Sequence, residues 1–155
     1  MGISAESGGH LISFLCPLPG TTIYEEKKGS RLLFHLDFEA QIDLAVQLVT
    51  GNEKQYLKHF YDRRGYNANG IPPEAPNYYT LMYSQPGALR AAFSTNEVFE
   101  LEADENWNRV MDRGKCKVLT VGLNGEFGPF AQDMESMLSE MHEDYATELV
   151  PESGH

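Results

Sequence analysis

Apolar positions change their period several times along the chain. Leu11 to Cys16 is a short apolar stretch closed by Pro17-Leu-Pro-Gly20, which predicts a buried strand end and a turn. Met1–His10 ahead of it is small and polar, a loose terminus, and Thr21–Arg31 is polar and lysine-rich, a loop. From Phe38 the spacing becomes three and four. Phe38, Ile42, Ala45, Val46 and Val49 predict one helix, with Gly51 as its stop. A second helix over Glu53–Arg64 turns Tyr56, Leu57, Phe60 and Tyr61 inward and ends at Gly65. Pro72 and Pro73 lead into a third that runs to Met82, and Pro86 opens a fourth over Gly87–Phe93. A fifth, acidic helix covers Val98–Met111, with Phe99, Glu102, Asn106 and Arg109 sharing a face.

The pattern then turns to strand. Lys115–Leu123 is apolar and β-rich, Gly125 and Gly128 make a turn, Phe130–Met141 has helical spacing, and Ala146–Val150 predicts a last strand. Strand, turn, helix and strand make a βαβ unit, which needs a sheet to join. With the N-terminal strand, that sheet has two or three strands, and its edges stay unpaired unless another chain covers them. The predicted class is α/β and helix-rich: about five helices and a small parallel sheet with one flanking helix. The divisions are a loose terminus over 1–10, a core strand and loop over 11–31, a helical segment over 32–113, and a second core piece over 114–155.

Charge narrows the function classes. The 155 residues carry 23 acidic and 12 basic side chains, a formal net charge of −11. Nucleic-acid binding runs on clustered Lys and Arg, and the same sign disfavours an anionic membrane surface. The acid is concentrated: residues 1–94 hold 9 acidic and 8 basic groups, residues 95–155 hold 14 and 4. Aromatics at 11% and hydrophobics at 41% argue against wholesale disorder. Cys16 and Cys116 are far apart, in no metal-ligand spacing, and read as free thiols in preference to a disulfide. The run from Leu11 to Leu18 is broken by Ser13 and Pro17, too short for a membrane span and without the basic flank of a signal peptide. A cytoplasmic chain is the default reading.

Several segments, in this order and spacing, carry a family resemblance. They are Cys16-Pro-Leu-Pro-Gly20, Phe34-His35 before an amphipathic helix, Leu48-Val-Thr-Gly51, and Tyr56-Leu57 with Phe60-Tyr61. Further along come Tyr83-Ser-Gln-Pro-Gly-Ala-Leu-Arg-Ala-Ala-Phe93, Val118-Leu-Thr-Val-Gly-Leu-Asn-Gly125 and the closing Pro-Glu-Ser-Gly-His155. Together they resemble the α/β-hydrolases, and within them the epoxide hydrolase and fluoroacetate dehalogenase branch, over nearly all of residues 11–155. The resemblance implies a partial α/β-hydrolase fold: the helical cap flanked by the sixth to eighth core strands. Family members are nearly twice as long. They begin with further strands, an oxyanion-hole loop and an elbow carrying an aspartate nucleophile, and this chain starts just before the place of their sixth strand.

The family reaction needs a carboxylate that attacks carbon, a histidine–acid pair that activates water, and cap donors that hold the leaving oxygen or halide. His155 matches the catalytic histidine, against the plainer reading of a terminal imidazole in solvent. The family's acid position falls at Leu15, and an alternative position after the seventh strand falls near Glu126, which reads as an ordinary exposed turn residue. Ser7-Gly8-Gly9-His10 lacks the strand and helix that a nucleophile elbow requires. His35 aligns with a cap histidine, with a buried structural histidine as the competing role. Phe34 stands where a tryptophan is common, and the second cap donor, usually Tyr, falls at Thr95 or Asn96. Tyr83 and Phe93 complete the implied substrate-binding set. Tyr78, Tyr79, Tyr83 and Trp107 read first as core packing and second as pocket lining.

The residues imply no cofactor and no metal. The resemblance implies a small hydrophobic, epoxide-like, organohalide or ester-like molecule as ligand, without competent hydrolysis by the covalent aspartyl route in this chain alone. The alternatives are a repurposed isomerase or cyclase working through His35, or a binding or assembly module, a pseudoenzyme whose open sheet pairs with a second copy or with a fuller hydrolase chain. A gene fragment whose nucleophile is encoded upstream is the remaining expectation.

Overall fold

The computed structural model describes residues 17–67, 70–72 and 74–154, together with the backbone of Leu11–Phe14. Three parallel strands, β1 (Leu11–Phe14), β2 (Thr120–Gly125) and β3 (Tyr145–Val150), lie in the order β1-β2-β3. Leu11 is in register with Thr120 and Phe14 with Leu123, while Thr120 pairs with Tyr145 and Gly125 with Val150. Parallel neighbours cannot be joined by a hairpin. The connection from β2 to β3 is the helix α8 (Met134–Met141), and the connection from β1 to β2 holds all the other helices: α1 (Thr22–Lys27), α2 (Phe34–Ala40), α3 (Ile42–Val49), α4 (Glu53–Arg64), α5 (Glu74–Tyr83), α6 (Ala88–Glu97) and α7 (Phe99–Arg113). The predicted class holds, with β3 as an exposed edge strand carrying Leu149 and Val150 in solvent.

Four local expectations are corrected. The lysine-rich loop over Thr21–Arg31 contains α1. Thr21 caps it by accepting the Tyr24 backbone N–H at 3.3 Å, Tyr24 is buried, and Lys28 pairs with Glu25 and Glu100 at 2.9 Å each. A single buried aromatic plus a cap and ion pairs hold this helix, a signal too sparse for periodicity to register. The helix predicted through Phe38–Val49 is broken at Gln41, which has φ −82° and ψ 60°. At 100° per residue a straight helix would set Glu39 about 120° away from Ala45 and about 80° away from Val49. All three are buried, and the break lets them face one interior. The strand predicted from Lys115 starts at Thr120, because Cys116 instead bonds the end of α8, its N–H to Met141 O at 2.8 Å and its carbonyl to Glu143 N at 2.9 Å. Finally, Tyr78, Tyr79 and Trp107 are exposed and pack no core.

Three apolar clusters form among the described residues. Ala45, Val49, Leu89 and Phe93 form the centre of the helical layer, with Phe38, Tyr56 and Tyr83 against them. Against the sheet, Met134 and Leu138 pack with Tyr145, while Met137 packs with Leu33 and Phe130 in a further cluster that Leu18, Ile23, Leu32 and Leu36 complete. Phe130 is buried as predicted, in turns ahead of α8 and outside the helix. The predicted glycine turn after β2 is also a close approach, since a Cβ on Gly125 would run into the carbonyl oxygens of Ser153 and Gly154. Gly154 in turn lies against the backbone of Arg64 and Tyr66, and Tyr66 stacks on Phe127 with ring centroids 4.5 Å apart and planes at 15°. The loops after β2 and β3 are thereby tied to the end of α4.

Candidate functional site

Residues four apart on a helix project from one face, so α2 presents His35 and Glu39 together and α4 presents Tyr56, Phe60 and Arg64 together. These two faces, with Tyr83 from α5 and Ala92, Phe93 and Asn96 from α6, enclose a cavity of about 420 Å3. Its wall is largely aromatic. Tyr56 meets Phe60 edge-on at 5.2 Å and Phe93 at 5.8 Å, and Phe60 meets the His35 ring at 5.4 Å. A cavity that is mostly apolar with a few converging polar groups is the ordinary form of a small-molecule site.

The polar groups converge on Glu39. Its carboxylate is buried and accepts from the Tyr56 hydroxyl on one oxygen and from the Asn96 side-chain amide on the other. Burial pushes its carboxyl above the ordinary value, and the two donors pull it partly back. Burial, then the hydrogen bond to Glu39, hold the Tyr56 phenol far above its usual range, so it stays a donor. Tyr61, on the same wall, is raised by burial and by its neighbours Tyr79 and Tyr83, and burial lowers Arg64. The guanidinium of Arg64 donates to the carbonyl of Leu32, which anchors the end of α4 to the segment before α2.

Of the residues singled out in the sequence, His35, Tyr83, Phe93, Thr95 and Asn96 all line this cavity. Their states differ. Phe93 is wholly buried and belongs to the core as much as to the wall. Thr95 is exposed and its hydroxyl donates to Ala92 O at 2.7 Å, within its own helix. Asn96 has one amide hydrogen committed to Glu39. Phe34 differs: it lines a neighbouring cavity, set about 100° around α2 from His35, whose ring it meets edge-on at 6.0 Å. His155, Leu15 and Ser7–His10 lie outside the described residues. Glu126 is exposed, and its carboxylate accepts the Glu152 backbone N–H at 3.1 Å, holding the loop after β3. Sequence reasoning missed Glu39 and Tyr56 as polar partners. A lone Glu inside an amphipathic pattern reads as a surface residue, although its position four after His35 was a usable signal.

Among the described residues no three His, Cys, Asp or Glu side chains gather as metal ligands, and no helix is long and apolar enough to cross a membrane. No protein-family model matches the sequence, and no curated protein matches it. Solved structures do match. The epoxide hydrolase CorEH is similar with a TM-score of 0.75 and 18% identity, over 94% of this chain and 51% of that one. Cfl2 of Burkholderia cenocepacia gives 0.72 and 21%, over 94% and 50%. ALR0039 of Nostoc sp PCC 7120, a proposed α/β hydrolase, gives 0.74 and 20%, over 94% and 50%. The chain spans about half the length of the solved structures it matches. On that likeness, its three parallel strands and helical layer have the fold of one half of an α/β-hydrolase.

Proposed function

We propose that this chain is the cap-bearing half of an epoxide-hydrolase-like site and binds a small apolar molecule with an oxygen acceptor, of the epoxide class, in the cavity between α2, α4 and α6. The observation that carries the reading is the buried Glu39 carboxylate, held by Tyr56 and Asn96 inside an aromatic wall beside His35. The structural likeness to the epoxide hydrolase CorEH supports it. In this reading Glu39 fixes Asn96 so that the second amide hydrogen of Asn96 offers a hydrogen bond to the ligand oxygen. His35, one helical turn before Glu39, supplies the second polar contact. The aromatic rings exclude water from the ligand body.

The same geometry argues against covalent turnover by Glu39. Both of its oxygens already accept hydrogen bonds, which blunts a carboxylate as a nucleophile toward carbon. The 155-residue chain should therefore bind a terminal epoxide such as styrene oxide without forming an ester to it. Titration followed by NMR should give saturable shifts, weakened in Asn96→Leu, while intact-mass measurement shows no adduct. Absence of saturable binding at millimolar epoxide, or a stoichiometric adduct with diol release, would overturn the reading.

One observation favours a second reading. His35 and Glu39 lie one turn apart on one cavity wall, and an imidazole there is placed for proton transfer without any nucleophile. An isomerase or cyclase of that kind should lose its activity in His35→Ala. Unchanged turnover of an identified substrate by that variant would remove it.

A further inference from the structure

A second cavity lies along the next face of α4. It measures about 610 Å3, and its wall carries Arg31, Arg63, Arg64 and His59 together with Phe34 and Phe127. Among the described residues no carboxylate lines it, in a chain with 23 acidic and only 12 basic side chains. A quarter of the chain's Lys and Arg residues thus meet in one concavity. The nearest acid in sequence, Asp62, is turned to Lys58, whose Nζ lies 2.6 Å from each of its oxygens.

The wall is also fixed in shape. Arg64 is half-buried and donates to Leu32 O, so its charge cannot swing out to solvent freely. His59 is held edge-on against Phe34 at 5.7 Å and Phe60 at 5.5 Å, and Phe127 is stacked on Tyr66. Arg31 and Arg63 are exposed at the rim. Gathering guanidinium groups costs mutual repulsion, which an anion between them reverses, and their planar forks match phosphate and carboxylate oxygens. Concave walls of one sign focus potential, here against the sign of the whole chain. Solubility alone would spread these charges over the convex surface.

We propose that this cavity is a second binding site, for a small aromatic anion, its phosphate or carboxylate against Arg31, Arg63 and Arg64 and its ring against Phe34 and Phe127. It adjoins the Glu39 cavity and shares Phe60 and Arg64 with it, whereas Arg31, Arg63, Phe34 and Phe127 belong to this cavity and not to the other. Calorimetric titration of the whole chain with phenyl phosphate, benzoate and phenol tests it. At least one of the two anions should bind about tenfold or more tightly than phenol, and which one leads separates the phosphate from the carboxylate source. Raising sodium chloride from about 20 to about 200 mM should weaken that binding several-fold. The Arg31→Gln, Arg63→Gln double variant should weaken it about tenfold or more, because two charge-assisted contacts are lost. Both residues are exposed, and an unchanged melting curve together with unchanged epoxide shifts in the other cavity shows that the fold is intact. Phenol binding as tightly as both anions, or a double variant that binds the preferred anion as tightly as the native chain, overturns the proposal.

Discussion

Asn96 on α6 donates its side-chain amide to the buried carboxylate of Glu39 on α2, so two residues with 56 others between them in sequence share one polar contact inside an aromatic wall. The contact orients Asn96 and fills one oxygen of Glu39, while Tyr56 fills the other. A buried carboxylate with both oxygens satisfied costs far less than one left bare, which explains how the helical layer tolerates it.

Glu39 should make stability fall as pH rises. Its carboxyl in the folded chain sits above the ordinary value of 4.5 because burial outweighs the two donors. The unfolded chain then gives up this proton first as pH increases. The favourable contribution is complete below pH 4.5 and is lost as pH rises through the folded-state value. Glu39→Gln keeps an acceptor and cannot ionise. Denaturant midpoints of the two proteins, followed upward from pH 4, should diverge in favour of Glu39→Gln. Parallel curves would mean that Glu39 is no harder to ionise in the fold than outside it.

Phe93 separates packing from binding. It is 1% exposed, meets Tyr56 at 5.8 Å, and forms part of the core around Ala45 and Val49. Phe93→Ala should cost about 3–5 kcal/mol of unfolding free energy, as large-to-small changes of buried aromatics do. Urea unfolding measures it. Phe93→Leu, which keeps most of the volume, should cost clearly less and enlarge the cavity on one side. A loss below about 1 kcal/mol for Phe93→Ala would mean that the wall collapses to fill the gap.

Most of the architecture was legible in the sequence wherever burial imposes a period. Val49 followed by Gly51 at φ +81° ends α3 as its pattern announces, and α4 runs over Glu53–Arg64 with Tyr56, Leu57, Phe60 and Tyr61 on the cavity wall. β2 and β3 are parallel with α8 between them, as the strand–helix–strand order predicts. What escaped has a common cause: it depends on contacts distant in sequence. The break at Gln41 serves Glu39, whose partners are Tyr56 and Asn96, and α1 is held by Glu100 and Asp133. The exposure of Tyr78, Tyr79 and Trp107 follows from which helix faces remain uncovered, and aromatic composition carries no information about that. His35, Tyr83 and Asn96 were found through a resemblance of motifs, and the cavity brings them together although they sit on three helices.

The close approach at Gly125 gives a backbone prediction. Its Cα faces the carbonyl oxygens of Ser153 and Gly154, and Phe127 N–H bonds Ser153 O at 2.9 Å. A methyl group there would push the loop after β3 off the end of β2. Gly125→Ala should cost about 2–4 kcal/mol, near the upper range for single substitutions. Hydrogen exchange should show the Phe127 amide losing protection in the variant while the amides of α3 keep theirs. Equal protection of Phe127 in both proteins would show that the loop can shift without losing its bonds.

His142 titrates against the fold in the opposite sense to Glu39. Its ring lies 2.9 Å from the Thr120 hydroxyl, and burial, with the charge of Arg109 adding to it, lowers its affinity for a proton. The unfolded chain therefore protonates this residue first as pH falls. Its stabilising contribution is complete above the ordinary value of 6.5 and is lost as pH drops through the lowered folded-state value. Arg109→Gln removes the smaller of the two causes, so it should shrink the loss without abolishing it. His142→Gln, which retains a partner for Thr120 and has no proton to gain, should abolish it. NMR titration of the imidazole gives the folded value directly, and unfolding midpoints between pH 7.5 and 5 give its effect on the chain. If the His142 resonance titrates at or above 6.5, the strand end at Thr120 is open to water, and the Thr120–His142 contact contributes nothing to holding β2 against α8.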